Sequence, residues 1–335
     1  MEPLRAVVPS PGADLRVEKY EPMAPQDGQV QVQLKATSLN PLDWKRIEKN
    51  LFIPSYPHVL GMDISGVVVN QGASTKFKNG ERIMGIGTVG WSDGGSYQTH
   101  ILIDEKNACK IPDNISFAEA ATIPFAFATA ACAIHLELGF PYSSANRAAS
   151  PPVLIWGASG SVGNFAVQLA KLHGSQVIAV SSTRSLASAE TIGADLVLDS
   201  SDPDVVSKIR SAAPNIEHVF DTIVSEASVA NCTAAFGNHA GTLATAIKNT
   251  HENKSKGVQI KPVYSGNIQG KNMGPGAHEQ GARLGEFAWD NLTQWLKDGD
   301  ITPLKYETIR GLQSVNEGLG RLKNGEYKSK LVVEV

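Results

Sequence analysis

The segment WGASGSVG, residues 156–163, combines small residues in a spacing that can bind an anion. It follows the apolar run VLIW and precedes a stretch with helical periodicity. Gly160 and Gly163 fill the second and third glycine positions of the G-x-G-x-x-G fingerprint, whereas Ala158 fills the first. Glycine leaves room for a pyrophosphate beside the backbone, and the first N–H groups of a helix attract its charge. We therefore expect a dinucleotide to contact five residues of this turn: Ser159, Gly160, Ser161, Val162 and Gly163.

The end of the next apolar run, QVIAVSS, indicates which dinucleotide is bound. Sites that prefer NAD carry Asp or Glu at this place, where the acid binds the ribose 2′-hydroxyl. Here the run ends in hydroxyls and one guanidinium, in the order Ser181, Ser182, Thr183, Arg184 and Ser185. Hydrogen bonds from such groups to a 2′-phosphate are worth about 1.5–3 kcal/mol each, so the sequence predicts NADPH. The alternative is that Arg184 begins the next helix and points into solvent.

Strand and helix patterns alternate from residue 153 onward and would position this turn. VLIW is followed by a helix from about Val162, with Gly174 beyond its end, and the later strands are ADLVLD, HVFDTIV and GTLATAI. Repeated units of this kind predict an α/β fold with a doubly wound parallel sheet. A looser stretch follows at 249–276, with a strand predicted at VQIKPVY, and then come the helix LGEFAWDNLTQWLKDGD and the strand SKLVVEV.

The first 115 residues or so predict short strands instead. In QVQVQLK, Val30, Val32 and Leu34 alternate with polar residues, which is the period of a half-buried strand. At 335 residues the chain is long enough for two domains.

The composition narrows the class of protein. The net charge of −3 makes nucleic acid and anionic membrane poor candidates as partners. Three widely spaced cysteines argue against a disulfide framework and favour a reducing compartment. The start MEPLRAVVPS lacks the features of a secretory signal, so we expect a cytoplasmic protein.

Several separated motifs occur in a fixed order: SLNPLDWKR, HVLGMDISGVVVNQG, FKNGERIMG and GGSYQTHILID, followed by the glycine turn and the ending GEYKSKLVVEV. In this order they resemble the medium-chain dehydrogenase/reductase superfamily over essentially the whole chain. The resemblance implies a GroES-like substrate domain, residues 1–125 and 271–335, and a Rossmann NADPH-binding domain, residues 126–270. LNPLDWK and SKLVVEV are most similar to the ToxD-like group, which includes trans-acting enoyl reductases of fungal polyketide synthases. The quinone oxidoreductases are the nearest alternative.

The metal ligands of the zinc-dependent members are missing. Those members carry Cys near SLNP and His-Glu after the glycine of VLG, where this sequence has Asn40 and Met62-Asp63. No cysteine lies between Gly85 and Ser96, where the resemblance would place a second zinc. We expect a zinc-free site and a structural role for His58.

The resemblance also assigns individual residues. Asn40, Asp43 and Thr129 are candidates for the reacting end, in a cleft between the domains, where the resemblance places a threonine near the nicotinamide. The resemblance brings Lys45 to the coenzyme or to the end of the substrate, and coenzyme contacts are also expected at Ser200, Ala246, Ile247 and Lys330. Each of the first group has a local alternative: Asn40 and Asp43 can close a turn, and Thr129 can bond its own helix. Lys45 could equally be an exposed lysine.

These features favour an NADPH-dependent reductase of an activated C=C bond, which delivers hydride to the β carbon of an enone or enoyl thioester. A polyketide synthase is a candidate partner. One alternative is an NADPH:quinone oxidoreductase, and another is a nucleotide-binding partner protein without turnover. No tyrosine stands at the place of the acid found in some enoyl reductases, so water or the substrate could supply the proton.

Overall fold

The computed structural model describes residues 2–88, 93–142, 150–251, 257–271 and 278–335. The chain divides into two compact units, Met1–Phe125 with Trp289–Val335, and Ala126–Ala288. The sequence predicts the return to the first domain at residue 271, whereas the compact units divide within a long helix. Parts of the looser stretch 249–276, namely 252–256 and 272–276, lie outside the described residues.

In chain order, the described strands are β1 (Leu4–Val8), β2 (Arg16–Lys19), β3 (Gln29–Ser38), β4 (His58–Val59), β5 (Asp63–Gln71), β6 (Arg82–Ile86), β7 (His100–Asp104), β8 (Ala108–Lys110), β9 (Val153–Trp156), β10 (Val177–Ser181), β11 (Leu196–Asp199), β12 (His218–Asp221), β13 (Gly241–Thr245), β14 (Val258–Pro262), β15 (Tyr306–Arg310) and β16 (Lys330–Glu334).

The described α-helices are α1 (Pro41–Lys49), α2 (Phe117–Ala121), α3 (Pro124–Ala131), α4 (Ser161–Leu172), α5 (Leu186–Glu190), α6 (Val205–Ala212), α7 (Glu226–Ala235), α8 (His278–Asp298) and α9 (Val315–Asn324). A π-helical segment, Cys132–Glu137, continues α3. A short 3₁₀ turn, Thr183–Ser185, follows β10.

The second unit is built on a parallel sheet with the strand order β11-β10-β9-β12-β13-β14. This is the order of a doubly wound dinucleotide-binding fold, and it confirms the sheet that the sequence predicts. All four residues of β9 are buried, as expected for a central parallel strand that is covered on both faces. The carboxyl ends of β9 and β10 therefore lie at one edge, and the turn 157–160 leads from that edge into α4.

The first unit contains two sheets within its described residues. One has the order β2-β1-β4, and the other has the order β15-β16-β3-β5-β6-β8 with β7 also paired to β3. β3 is central to the larger sheet, and Val30, Val32 and Leu34 are buried on one face as the alternation predicts. β16 lies antiparallel to β3, with Val333 opposite Thr37, and this pairing brings Lys330 close to the segment that follows β3.

Cys109, Cys132 and Cys232 are buried free thiols. None of the described helices has the length and apolar character needed to cross a bilayer.

Candidate functional site

The turn between β9 and α4 depends on glycine at two positions. Gly157 has a φ of +80°, so it supplies the left-handed residue of the turn. A Cβ on Gly163 would lie 2.3 Å from the Gly157 carbonyl oxygen, which only glycine avoids. The space beside Gly160 is open, since its nearest neighbour would be the same carbonyl oxygen at 3.3 Å. The turn is therefore tight on its protein side and open where a ligand would approach.

The start of α4 presents unpaired donors. The backbone N–H groups of Ser161, Val162 and Gly163 donate to no acceptor among the described residues, because each belongs to the first turn of the helix. The N–H of Ser159 donates to Oγ of Ser181 at 3.1 Å, which ties the turn to the end of β10. Free N–H groups at a helix start form a ready site for a phosphate, so this edge fits the pyrophosphate of a dinucleotide.

The last residue of β10 and the four that follow it lie at the same edge, and most of them are exposed. Ser181 is buried, whereas Ser182, Thr183 and Arg184 are exposed and Ser185 is partly buried. Ser182 Oγ donates to Ser185 Oγ at 3.3 Å. Arg184 forms no ion pair with the described part of the chain. Its guanidinium is available to an anionic ligand.

Asp199, the last residue of β11, lies beside this group. Its Oδ2 accepts a hydrogen bond from Thr183 Oγ1 at 2.6 Å, and its Oδ1 accepts two from the backbone and side chain of Ser201, each at 2.8 Å. β10 itself ends without an acid, but the neighbouring strand supplies one. Ser200, which the resemblance assigns to the coenzyme, is partly buried and donates its N–H to the Ser181 carbonyl at 2.8 Å.

Ala246 and Ile247 follow β13 at the same edge of the sheet. The N–H of Ala246 donates to the Asp221 carbonyl at 3.0 Å. Ile247 is 51% exposed, which is unusual for a large apolar side chain, and it is therefore accessible to a ligand.

In the first unit, Asn40 and Asp43 form the start of α1. Asp43 Oδ2 accepts hydrogen bonds from the Asn40 N–H at 2.9 Å and from the Tyr97 hydroxyl at 2.8 Å. Asp43 is buried, and its Oδ1 accepts no hydrogen bond from the described residues. Burial raises the pKa of Asp43 above its usual range, although the Tyr97 hydroxyl and the Asn40 N–H oppose the change. The local turn-closing role of Asp43 is therefore present in the structure.

Asp63 connects Asn40 to two further elements. Its Oδ2 accepts hydrogen bonds from Ser38 Oγ and from Asn40 Nδ2, the latter at 2.7 Å. Its Oδ1 accepts the N–H of Phe125 in the first turn of α3 at 2.7 Å. Asp63 is 1% exposed, so these donors replace the water that a carboxylate otherwise needs.

Lys330, at the start of β16, completes this cluster. Its Nζ donates to Asn40 Oδ1 at 2.5 Å, and the residue is only 8% exposed. Burial lowers the pKa of Lys330, while the charges of Asp63 and Asp43 act to raise it. An ammonium group has three N–H bonds, and Asn40 is the one acceptor that the described residues give it. Lys330 therefore retains donors for an anionic or carbonyl oxygen of a ligand.

Two assigned residues, Lys45 and Thr129, lie outside the clusters described so far. Lys45 lies in α1, is partly buried, and has its Nζ 5.5 Å from the centre of the Trp44 ring. Burial lowers its pKa, and the nearby charge of Lys49 lowers it further. Thr129 is buried in α3 and belongs to the second unit.

His58 is buried beside Arg46, whose guanidinium lies 2.8 Å from its Nε2. Burial and the Arg46 charge lower the pKa of His58 to about 4, which keeps the ring neutral. Among the described residues, no group of three or more His, Cys, Asp or Glu side chains is arranged to hold a metal ion.

Sequence reasoning missed several residues that form these sites. Gly157 could have been recognised as a glycine directly after a buried strand. Asp199 ends the strand after β10, and adjacent parallel strands end at the same edge. The roles of Asp63 and Tyr97 depend on contacts between distant segments, and no local signal in the sequence indicates them.

Two family models match the chain. One, described as the alcohol dehydrogenase GroES-like domain, matches residues 26–113, and the other, described as a zinc-binding dehydrogenase, matches residues 161–277. Among solved structures, an alcohol dehydrogenase superfamily protein from Novosphingobium aromaticivorans has a TM-score of 0.84 at 22% identity and covers 99% of both chains. These matches confirm a GroES-like domain combined with a Rossmann domain.

Curated relatives narrow the family. Trans-enoyl reductase ACTTS2 of Alternaria alternata is 30% identical over 342 residues, which is 99% of this chain and 98% of the relative. Trans-enoyl reductase TOXD of Cochliobolus carbonum is 34% identical over 224 residues, which is 64% of this chain and 74% of the relative. The chain therefore belongs to the medium-chain dehydrogenase/reductase superfamily, in its ToxD-like group.

Proposed function

We propose that this chain is an NADPH-dependent, zinc-independent reductase of an activated C=C bond in an enone or enoyl thioester. The observation that carries the proposal is the start of α4, where three N–H groups without acceptors adjoin the open space at Gly160. This arrangement suits a dinucleotide, and relatives named as trans-enoyl reductases support the reaction class. The acceptor is a small molecule, and nothing in the charge of the chain favours nucleic acid.

Each unit by itself carries residues that we assign to the coenzyme. In the second unit, Ser159 to Gly163 hold the pyrophosphate, and Ser181, Ser182, Arg184 and Ser185 hold the 2′-phosphate. Thr183 adjoins these residues and donates its hydroxyl proton to Asp199. Ser200, Ala246 and Ile247 line the adjoining edge. In the first unit, Lys45 and Lys330 supply positive charge. When bound, NADPH supplies the hydride that reaches the β carbon of the substrate.

The chain's own residues orient the reactants and stabilise charge. Negative charge develops on the carbonyl oxygen of the substrate as hydride arrives, and a preorganised donor stabilises it. Asn40 and Asp43 belong to the buried network at the start of α1, and we assign them, with Thr129, to the reacting end. Asp43 and Asn40 hold each other through the hydrogen bond at 2.9 Å. The α carbon receives its proton from water or from the substrate.

We propose a zinc-free site because Met62 and Asp63 stand where zinc-dependent relatives carry His-Glu. Asp63 already accepts three hydrogen bonds, which leaves it poorly suited to bind a cation. Elemental analysis of the purified protein should find well under one zinc per chain, and a stoichiometric value would contradict this part of the proposal.

Coenzyme binding and turnover test the proposal together. NADPH should bind at least about tenfold more tightly than NADH, since one charge-assisted hydrogen bond is worth about 1.5–3 kcal/mol, and Arg184→Ala should narrow the difference. Stopped-flow oxidation of NADPH should be faster with an enone or an acyl thioester than with a simple quinone. The reverse ranking would favour a quinone oxidoreductase, and binding without turnover would favour a nucleotide-binding partner protein.

We further propose that the protein acts in the cytoplasm and cooperates with a polyketide synthase. The support is the description of its relatives as trans-enoyl reductases, together with three unpaired cysteines. Adding a synthase that lacks its own reductase activity should increase the yield of reduced product relative to either protein alone.

A further inference from the structure

The carboxylate of Asp199 lies at the edge where the 2′-phosphate of NADPH is proposed to bind. β10 and β11 run parallel, and their register places Asp199 opposite Ser181, the last residue of β10. Both strands therefore end at the same edge of the sheet. The acid missing from the end of β10 is thus supplied by its neighbour.

The hydroxyl of Thr183 is already engaged by this acid. Thr183 Oγ1 donates to Asp199 Oδ2 at 2.6 Å, and a hydroxyl has a single proton to donate. The hydrogen bonds from Thr183 and Ser201 lower the pKa of Asp199, so its side chain is ionised at neutral pH. While this arrangement persists, Thr183 cannot donate to a phosphate.

The positive charge of Arg184 is not paired with the negative charge of Asp199. Arg184 is exposed and forms no ion pair with Asp199 or with any other acid in the described ranges. A phosphate at this edge would therefore meet one attractive charge and one repulsive charge. Arg184 is exposed and Asp199 is partly exposed, so solvent weakens the effects of both charges but does not remove them.

We propose that Asp199 is a specificity-determining residue that limits the preference of the chain for NADPH over NADH. The inference rests on the proposed function. Asp199 disfavours the 2′-phosphate by its charge and by holding the Thr183 proton. Carboxylates at such edges accept hydrogen bonds from ribose hydroxyls, so the same group favours the coenzyme that lacks the phosphate.

The test compares Asp199→Asn with Asp202→Asn. Asp202 lies three positions further on, and its carboxylate is bonded to Lys208 and to the N–H of Asp204 instead of to Thr183. Both variants change the net charge equally. Dissociation constants for NADPH and NADH are measured by fluorescence titration. The dissociation constant for NADH divided by that for NADPH should rise about fivefold in Asp199→Asn but less than about twofold in Asp202→Asn.

Thr183→Val provides a second, independent measurement. In the wild-type background the substitution should change NADPH affinity less than about twofold, because the hydroxyl is held by Asp199. In an Asp199→Ala background, which removes the acceptor altogether, it should weaken NADPH binding at least about threefold, since the hydroxyl is then free to donate.

The outcomes separate the inference from the proposed function. If the wild type prefers NADPH and Asp199→Asn leaves the ratio unchanged or lower, the inference fails and the proposed function stands. If the wild type binds neither coenzyme, the proposed function fails and the inference fails with it. An equal rise in the ratio in both variants would mean that net charge alone acts, which contradicts a specific role for Asp199.

Discussion

Asp63 Oδ2 accepts a hydrogen bond from Asn40 Nδ2 at 2.7 Å, and this contact links two segments that are 23 residues apart. Asn40 Oδ1 in turn accepts a hydrogen bond from the Lys330 ammonium group. A single buried carboxylate therefore fixes the orientation of the amide that holds the only buried lysine of the described chain. Substitution of Asp63 should disturb the site as well as the fold.

Asp63→Asn should lower the kcat of NADPH-dependent reduction at least about tenfold. It should also lower the free energy of unfolding by about 1–3 kcal/mol, because the new amide N–H₂ group would face donors that need an acceptor. Ser65→Ala is the control, since Ser65 lies on the same strand and donates to the Phe117 carbonyl at 2.8 Å. The control should lose stability but keep kcat within about twofold. If Asp63→Asn and Ser65→Ala lose kcat equally under conditions where both are folded, Asp63 has only a structural role.

Lys330→Met should raise the dissociation constant for NADPH at least about tenfold, because it removes a charged donor from the proposed coenzyme site. Methionine occupies nearly the same volume as the lysine stem, so the packing around β16 is largely kept. Lys328→Met, at an exposed position two residues earlier, serves as the control and should change the affinity less than about twofold. Similar titration curves for both variants would exclude Lys330 from the coenzyme site.

Gly163→Ala should destabilise the protein by about 1–3 kcal/mol and weaken dinucleotide binding, because the added Cβ overlaps the Gly157 carbonyl. Gly320→Ala is its matched counterpart, since that glycine is helical and has nothing within 4 Å of the added carbon. Gly320→Ala should be neutral or stabilising by up to about 1 kcal/mol. Chemical denaturation measures both changes, and a harmless Gly163→Ala would show that the turn can relax.

The stability of the protein should fall in mild acid because of His135. Burial, together with the charge of the neighbouring His173, lowers the pKa of His135 from 6.5 to about 4. The unfolded chain therefore binds a proton that the folded chain does not between those two values. The contribution of His135 to the free energy of unfolding should fall by about 3 kcal/mol as the pH drops from about 6.5 to about 4, with the full contribution present above 6.5. His58 titrates over the same range and adds to the loss.

His135→Gln should reduce this loss, since glutamine does not titrate and can donate to the Phe140 carbonyl that His135 Nδ1 contacts at 3.2 Å. Urea unfolding at neutral pH and near pH 4.5 measures the difference. His239→Gln, at an exposed position, should leave the difference as it is in the wild type. An unchanged acid response in His135→Gln would assign the effect to another group.

The parallel sheet and the glycine turn could be predicted from the sequence because both depend on local patterns. VLIW is apolar throughout since β9 is covered on both faces, and Gly163 is required where α4 approaches β9. The alternation of Val30, Val32 and Leu34 with polar residues likewise predicts a half-buried strand. In each case the residues that carry the signal are adjacent in the chain or follow its period.

The hydrogen-bond partners in the site could not be predicted, because they come from distant segments. Lys330 contacts Asn40 across 290 positions, and Tyr97 contacts Asp43 across 54. The absence of an acid after β10 was visible in the sequence, but the approach of Asp199 depends on which strands are neighbours. Side-chain pairing across a sheet follows from topology, which single-sequence patterns specify only in outline.

The three buried cysteines have a practical consequence. Burial raises the pKa of Cys109 and Cys132 to about 12 and that of Cys232 well above its ordinary value. A protonated thiol shielded from solvent reacts with an alkylating reagent only when the surrounding structure opens. Cys109 belongs to the first unit, and Cys132 and Cys232 belong to the second, so the rates at which iodoacetamide labels them would report the opening of each unit separately within one sample.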